Sequence, residues 1–231
     1  MKPFADWVGT LRAYGAALAL RNLAAAALLL LAVPASADVR ILAFGDSLTQ
    51  GYGLPEAAGF VPRLQAWLAA NGAGDVTVVN GGVSGDTSAG GLARIGWSLG
   101  DDIDGVIVEL GANDMLRGID PAVTRANLDG ILTAIDERGL PALVAGIAAP
   151  TNYPEAYRAA YASMFRDLAA AHGAIFYSAF LGGLGDGRSM REVTQLLQGD
   201  GLHPNAEGVQ AIVDHIGPAV LELVAEARKR S

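Results

Sequence analysis

A serine hydroxyl becomes a nucleophile only when a base takes its proton, so the chemistry open to this chain depends on which base could reach which serine. Ser47 stands in Gly45-Asp46-Ser47-Leu48, directly after a short apolar run. Taken by itself, such a serine reads more naturally as the cap of a following helix. Of the three histidines, His172 precedes Gly173 at the end of a helical pattern, where a cation suits the helix dipole. His215 lies beside Asp214 within another helical pattern and reads as a surface or packing residue. His203 lies in the loop Asp200-Gly201-Leu202-His203-Pro204. In a turn, that spacing lets the Asp200 carboxylate reach Nδ1 of His203 and leaves Nε2 free to accept a proton. The same pair could equally do no more than cap the last helix. Acyl transfer also needs donors for a developing oxyanion. The backbone N–H groups of Ser47 and Gly85 and the side-chain amide of Asn113 could supply them, although Gly85-Asp86 and Asn113-Asp114 are also ordinary turn formers.

What joins these residues is the set of elements in front of them. Short apolar, partly β-branched runs predict strands over 39–45, 76–79, 105–110, 142–148 and 174–177. Between and after them, apolar residues at helical spacing predict helices over 59–70, 88–99, 121–138, 155–171 and 205–228, the last with a bend near Gly217-Pro218. Strand and helix in alternation imply crossover connections and a parallel sheet covered on both faces, hence strands that are apolar throughout. The expected fold is one three-layer α/β/α domain. In such sheets, sites form beyond the carboxyl ends of the strands. Ser47, Gly85 and Asn113 follow strands one, two and three, and His203 precedes the last helix. Their joint placement is what bland loops would not produce.

In this order, the blocks GDSLT, NGGVSGDTSAGG, VELGANDMLRG and DGLHPN resemble those of the GDSL esterases, also called SGNH hydrolases. The four lettered residues of that family match Ser47, Gly85, Asn113 and His203. The resemblance covers residues 38–231 and is greatest to the bacterial periplasmic branch of acyl-CoA thioesterase I, lysophospholipase L1 and arylesterase. It implies a flavodoxin-like five-stranded sheet of order 2-1-3-4-5. It also implies a Ser47–His203–Asp200 triad, an oxyanion hole of Ser47, Gly85 and Asn113, and an acyl-enzyme formed without cofactor or metal. The implied substrates are small acyl esters or thioesters, with contact to lipid substrates, and the implied state is a monomer. The sequence around Ser47 has no G-x-S-x-G, so the sharp elbow of α/β-hydrolases is not expected. Residues 149–157 resemble a substrate-side loop of the same branch. A carbohydrate O-acetylesterase with this catalytic set and a non-catalytic binding protein on this fold are the competing readings.

Composition narrows the field further. The 231 residues are 52% hydrophobic and 17% charged, enough apolar material for a core. A net charge of -8 without a basic run excludes general nucleic-acid binding. The absence of cysteine excludes disulfides, thiolate metal sites, a cysteine nucleophile and a lipidated cysteine. Scattered histidines leave no zinc pattern, and the glycine-rich phosphate loops are missing after strand one. Asp46, Asp86 and Asp114 each adjoin a candidate site residue and are expected to hold the loops. Arg94 and Arg117 are expected in surface ion pairs, with an anionic headgroup as the other option. Glu109, inside an apolar strand, needs a partner that the sequence does not name. Residues 1–37 combine a basic start, an unbroken apolar run at 23–33, Pro34 and Ala35-Ser36-Ala37. They read as a signal peptide cleaved near Ala37, giving a periplasmic or secreted domain. A retained membrane anchor is the alternative, although the run is shorter than the roughly 20 residues that span a bilayer.

Overall fold

Strand β1 (Val39–Gly45) is buried at every position but Arg40, as befits the middle of a sheet covered on both faces. It pairs in parallel with β2 (Val76–Gly82) on one side and β3 (Gly105–Glu109) on the other. β4 (Ala142–Ala145) and β5 (Ile175–Tyr177) complete a five-stranded parallel sheet of order β2-β1-β3-β4-β5. The computed structural model describes residues 38–230, so the expected leader at 1–37 lies outside the described residues.

The helices are α1 (Ser47–Gln50), α2 (Phe60–Ala70), α3 (Ser88–Ser98), α4 (Ala112–Leu116), α5 (Pro121–Glu137), α6 (Glu155–Ala171), α7 (Gly182–Gly185), α8 (Met190–Gln195) and α9 (Ala206–Arg228). A 3-10 turn, Glu56–Ala58, precedes α2. Because side chains alternate along a strand, Val39, Ile41 and Ala43 of β1 point to the layer of α2 and α9, joining Leu64, Leu68, Val213 and Val220. Leu42 and Phe44 point the other way, into Ile95 of α3, Leu128 and Ile131 of α5, and Phe165 of α6. Each fully buried Leu, Ile or Phe contributes about 1.5–3 kcal/mol of transfer free energy, and both layers are dense in them. Local signals set the helix starts. Asp120 accepts from the Ala122 N–H ahead of Pro121, and Asn205 accepts from the N–H groups of Glu207 and Gly208.

The strand register places the site. Gly45 is level with Gly82 on one side and Glu109 on the other, so β1, β2 and β3 end abreast. The chain that follows each one therefore opens on the same edge. The strand β2 continues to Gly82 rather than stopping at 79, because Asn80-Gly81-Gly82 pair with Ala43–Gly45 although they are not apolar. Its outer side is covered by a side chain: Gln65 Nε2 donates to Val76 O at 2.6 Å, and Gln65 Oε1 accepts from Val78 N at 2.8 Å. β4 stops at Ala145 rather than 148. Beyond it, Gly146 turns its N–H to Tyr177 O and its carbonyl to Phe180 N. The last helix is a single helix through Pro218, where the sequence suggested a bend. The short helices α1, α4, α7 and α8 were not expected, since fewer than seven residues carry no readable period.

Candidate active site

Ser47 is the first residue of α1 and follows Asp46, whose Oδ1 accepts from Leu48 N at 3.0 Å. The hydroxyl points at the loop before α9: His203 Nε2 lies 2.9 Å from Ser47 Oγ. On the far side of the ring, His203 Nδ1 lies 2.6 Å from Asp200 Oδ2. The other Asp200 oxygen accepts from Leu202 N at 2.9 Å and from His203 N at 3.0 Å. Those backbone and side-chain donors, Leu202 N–H foremost, hold the Asp200 carboxyl down at about 2, so it is an anion at any pH where a histidine could act as base. The three residues that the sequence could only suggest separately thus form one continuous hydrogen-bonded line.

The other two candidates sit on the neighbouring strand ends. Gly85 has φ +77°, a left-handed backbone that an L side chain adopts only with strain. Its carbonyl accepts from Arg117 NH2 at 2.8 Å. Among the described residues, neither the Gly85 nor the Ser47 N–H has an acceptor. Asn113 Nδ2 donates one hydrogen to Asp46 Oδ2 at 3.0 Å, which leaves its second amide hydrogen unengaged.

Beneath this layer lies a set of buried polar groups that position it. Glu109 is fully buried, and the partners missing from the sequence are Thr49 Oγ1, donating to Glu109 Oε2 at 2.8 Å, and Asp46 N at 3.3 Å. Burial, followed by the nearby Asp46 charge, holds the Glu109 carboxyl well above the usual carboxylate range. Burial also raises Asp46, opposed by its Leu48 and Asn113 hydrogen bonds. Gly45 is required here by proximity: a Cβ at this position would fall 2.1 Å from Thr49 Oγ1 and 2.6 Å from Glu109 Oε2. Asp114 is buried and accepts from Ser88 N at 2.8 Å, from Ser88 Oγ, and from Thr124 Oγ1 at 3.3 Å, tying the β3 loop to α3 and α5.

Arg94 corrects an expectation. It is not in a surface pair: its Nε donates to Asp86 Oδ2 at 2.7 Å with both side chains almost buried, and its remaining donors reach Gly81 O and Gly45 O at 2.8 and 2.9 Å. The guanidinium lies 3.9 Å from the centre of the Phe44 ring. Spacing alone does not reveal this, because an Arg seven residues into a helix usually reaches water. Among the described residues Arg117 has no ion pair either, and its guanidinium donates to the Gly85 carbonyl instead. His172 bridges Asp136 and Asp129 at 2.6 and 3.0 Å, and His215 Nδ1 meets the Tyr177 hydroxyl, so both lie outside the site. Two further residues escaped the sequence reading. Tyr52 packs on His203 with ring centroids 4.7 Å apart. Gln198 Nε2 donates to Tyr52 O at 2.8 Å and to Pro204 O at 3.0 Å, holding that ring and the histidine loop together.

Residues 43–211 match the GDSL-like Lipase/Acylhydrolase family. The chain belongs to that family. The Pseudomonas aeruginosa protein named Esterase TesA is 36% identical over 199 residues, a match spanning 86% of this chain and 95% of that one. The Escherichia coli K12 protein named Thioesterase 1/protease 1/lysophospholipase L1 is 33% identical over 202 residues, spanning 85% of this chain and 90% of that one. AlinE4, whose crystal structure is titled as an SGNH-hydrolase family esterase, superposes with a TM-score of 0.66 at 38% identity, over 80% of this chain and 96% of that one. This GDSL chain is accordingly an acylhydrolase, built on the same parallel sheet as its solved relatives.

Proposed function

We propose that this GDSL acylhydrolase is a serine esterase and thioesterase that works through a covalent acyl-enzyme. The observation that carries the reading is the unbroken Asp200–His203–Ser47 line, with contacts of 2.6 and 2.9 Å. Ser47 Oγ attacks the acyl carbonyl carbon as its proton passes to His203 Nε2. Asp200 keeps Nδ1 protonated and stabilises the imidazolium. The carbonyl oxygen, now an anion, takes hydrogen bonds from Ser47 N–H, Gly85 N–H and the free hydrogen of the Asn113 amide. Collapse of this intermediate breaks the bond to the leaving alcohol or thiol, which receives the proton from His203. Water then attacks the acyl-serine, His203 accepts its proton, and the same groups return Ser47 and release the carboxylic acid.

The substrate class follows from the surroundings and from the relatives. Tyr52, Val83, Leu116 and Leu202 are exposed apolar side chains on the four loops that carry the site, which suits an acyl chain or aryl group better than a sugar. Aryl esters, acyl thioesters and lysophospholipids fit this rim. The leader-like residues 1–37 support export, with a periplasmic or secreted, monomeric domain beginning near Asp38. The test is hydrolysis of p-nitrophenyl esters of increasing acyl length by the wild type and Ser47→Ala. The reading requires turnover to vanish in Ser47→Ala and to persist beyond the acetyl ester. Equal rates for both proteins would overturn the nucleophile, and activity confined to acetyl would move the substrate to an O-acetylated carbohydrate.

A further inference from the structure

Asn113 lies in the five-residue helix α4, whose last residue, Leu116, is exposed together with Arg117 and Gly118 beyond it. Asp46 holds the amide itself and Asp114 anchors the helix to Ser88 and Thr124, and a further set of contacts holds the backbone carbonyls on either side. Three tyrosines do the holding. Tyr153, Tyr157 and Tyr161 are spaced by four residues, so they share one face of the chain entering and running along α6. Their rings stack, with centroids 5.2 Å apart at 26° and 5.0 Å apart at 15°, and Phe165 continues the column edge-on at 6.1 Å. Every hydroxyl ends on a backbone carbonyl of the segment around Asn113. Tyr161 Oη donates to Gly111 O at 3.3 Å, Tyr153 Oη to Met115 O at 3.0 Å and Tyr157 Oη to Ile119 O at 3.0 Å. These acceptors are also four residues apart. The pairing is not in sequence order, since Tyr161 takes the first carbonyl and Tyr153 and Tyr157 the second and third, but together the three hydroxyls hold carbonyls from two residues before Asn113 to six after it.

Packing alone does not account for the hydroxyls. Phenylalanine would keep the ring column and would spare the desolvation of three hydroxyl groups. The hydroxyls matter where the carbonyls they hold must not move, and the group between those carbonyls is the Asn113 amide. We propose that Tyr153, Tyr157 and Tyr161 are positioning residues that set the Asn113 amide in the oxyanion hole through the carbonyls of Gly111, Met115 and Ile119. The inference rests on the role given to Asn113 above.

The experiment is a double-mutant cycle. Tyr153→Phe/Tyr157→Phe is made in the wild type and in Asn113→Ala, and p-nitrophenyl ester hydrolysis is measured with thermal unfolding of every protein. Losing one oxyanion donor typically lowers turnover about 10²–10³-fold, and misplacing it should cost part of that. The tyrosine pair in the wild type is expected to lower kcat about tenfold with KM within about twofold, the sign of an interaction made only in the transition state. In Asn113→Ala the same pair is expected to change kcat less than about twofold, because the group it positions is gone. An equal fall in both backgrounds, or no fall in the wild type, overturns the proposal. The single variants Tyr153→Phe and Tyr157→Phe, which keep a full ring column, serve if the pair unfolds near the assay temperature, and the same two comparisons decide. Ser47→Ala is run beside them. Retained activity there overturns the triad itself, whereas an inactive Ser47→Ala with a purely additive cycle removes only the role of the tyrosines.

Discussion

Arg94 and Arg138 each meet an aspartate at 2.7 Å, and bond length alone would rank the two pairs equal. Burial separates them. The Arg94 and Asp86 side chains are 14% and 11% exposed, whereas Asp101, the partner of Arg138, is fully in solvent. Removing one member of a buried pair strands the other and costs about 3–5 kcal/mol. An exposed pair contributes about 0.2–1 kcal/mol. Arg94→Ala also takes a charged donor from Gly81 O and from Gly45 O and removes the guanidinium over Phe44. These losses share one side chain and overlap, so they do not add, and about 4 kcal/mol is the expected total. In a chain of this size each kcal/mol moves Tm by roughly 2–4 °C, so Arg94→Ala should melt about 8–16 °C below wild type. Arg138→Ala should fall less than about 4 °C on the same scale. Far-UV circular dichroism against temperature, with urea midpoints as a second measure, reads both. Removing the stranded charge as well, in Arg94→Met/Asp86→Leu, should recover more than half of the loss. An Arg94→Ala protein that melts with Arg138→Ala would show that the charge is solvated after all. A double variant as unstable as the single would locate the loss in packing and not in the carboxylate.

Three other outcomes are expected. Asp200 has a folded-state value of about 2 against an ordinary 3.8, a lowering that contributes stability above about pH 4 and loses it as pH falls toward 2; the stability gap between wild type and Asp200→Asn should therefore close across that window in acid unfolding curves, and a gap that persists at pH 2 would contradict it. His172 is the opposite case: burial lowers it, but hydrogen bonds and charge from Asp136 and Asp129 prevail and raise it above 6.5. Its contribution is complete below pH 6.5 and lost as pH rises through the raised value, so His172→Ala should destabilise clearly at pH 6 and little at pH 9, as judged by Tm at the two pH values. Burial and then the Asp46 charge raise Glu109 well above 4.5, so the unfolded form ionises before the folded one, a penalty that grows as pH climbs from 4.5 toward the raised value. Glu109→Gln keeps the acceptor for Thr49 without that penalty and should match wild type in Tm near pH 4.5 and exceed it at pH 8; a lower Tm at pH 8 would show that Glu109 folds as an anion.

The sequence carried the architecture because strand burial on both faces leaves unbroken apolar runs, as in Val39–Gly45, and because caps such as Asp120-Pro121 mark helix starts. It carried less where pairing, not apolarity, defines an element: Asn80-Gly81-Gly82 belong to β2 only by virtue of the strand beside them. The residues that the structure brings together in the candidate site were legible where they lie in compact motifs. Gly85, Asn113, Asp200 and His203 lie within a few residues of the glycines and aspartates that shape their loops. Tyr52 and Gln198 were not legible, because a ring on a histidine 151 residues away, or an amide bridging two loops, leaves no local spacing to read. The same holds for the burial of Arg94, which depends on Phe44 beneath it and on two carbonyls from separate strands.

Ser47 and His203 are separated by 156 positions in the chain. A polypeptide emerging N-terminus first, from a ribosome or through a membrane pore, presents the hydroxyl and the loops of Gly85 and Asn113 long before the imidazole. Such a partly made chain holds Ser47 without the His203 ring that stands 2.9 Å from it in the folded protein. The contact between them forms only once α9 lies on the sheet with the loop of His203 ahead of it, so the last helix of the chain completes a constellation that its first strand begins.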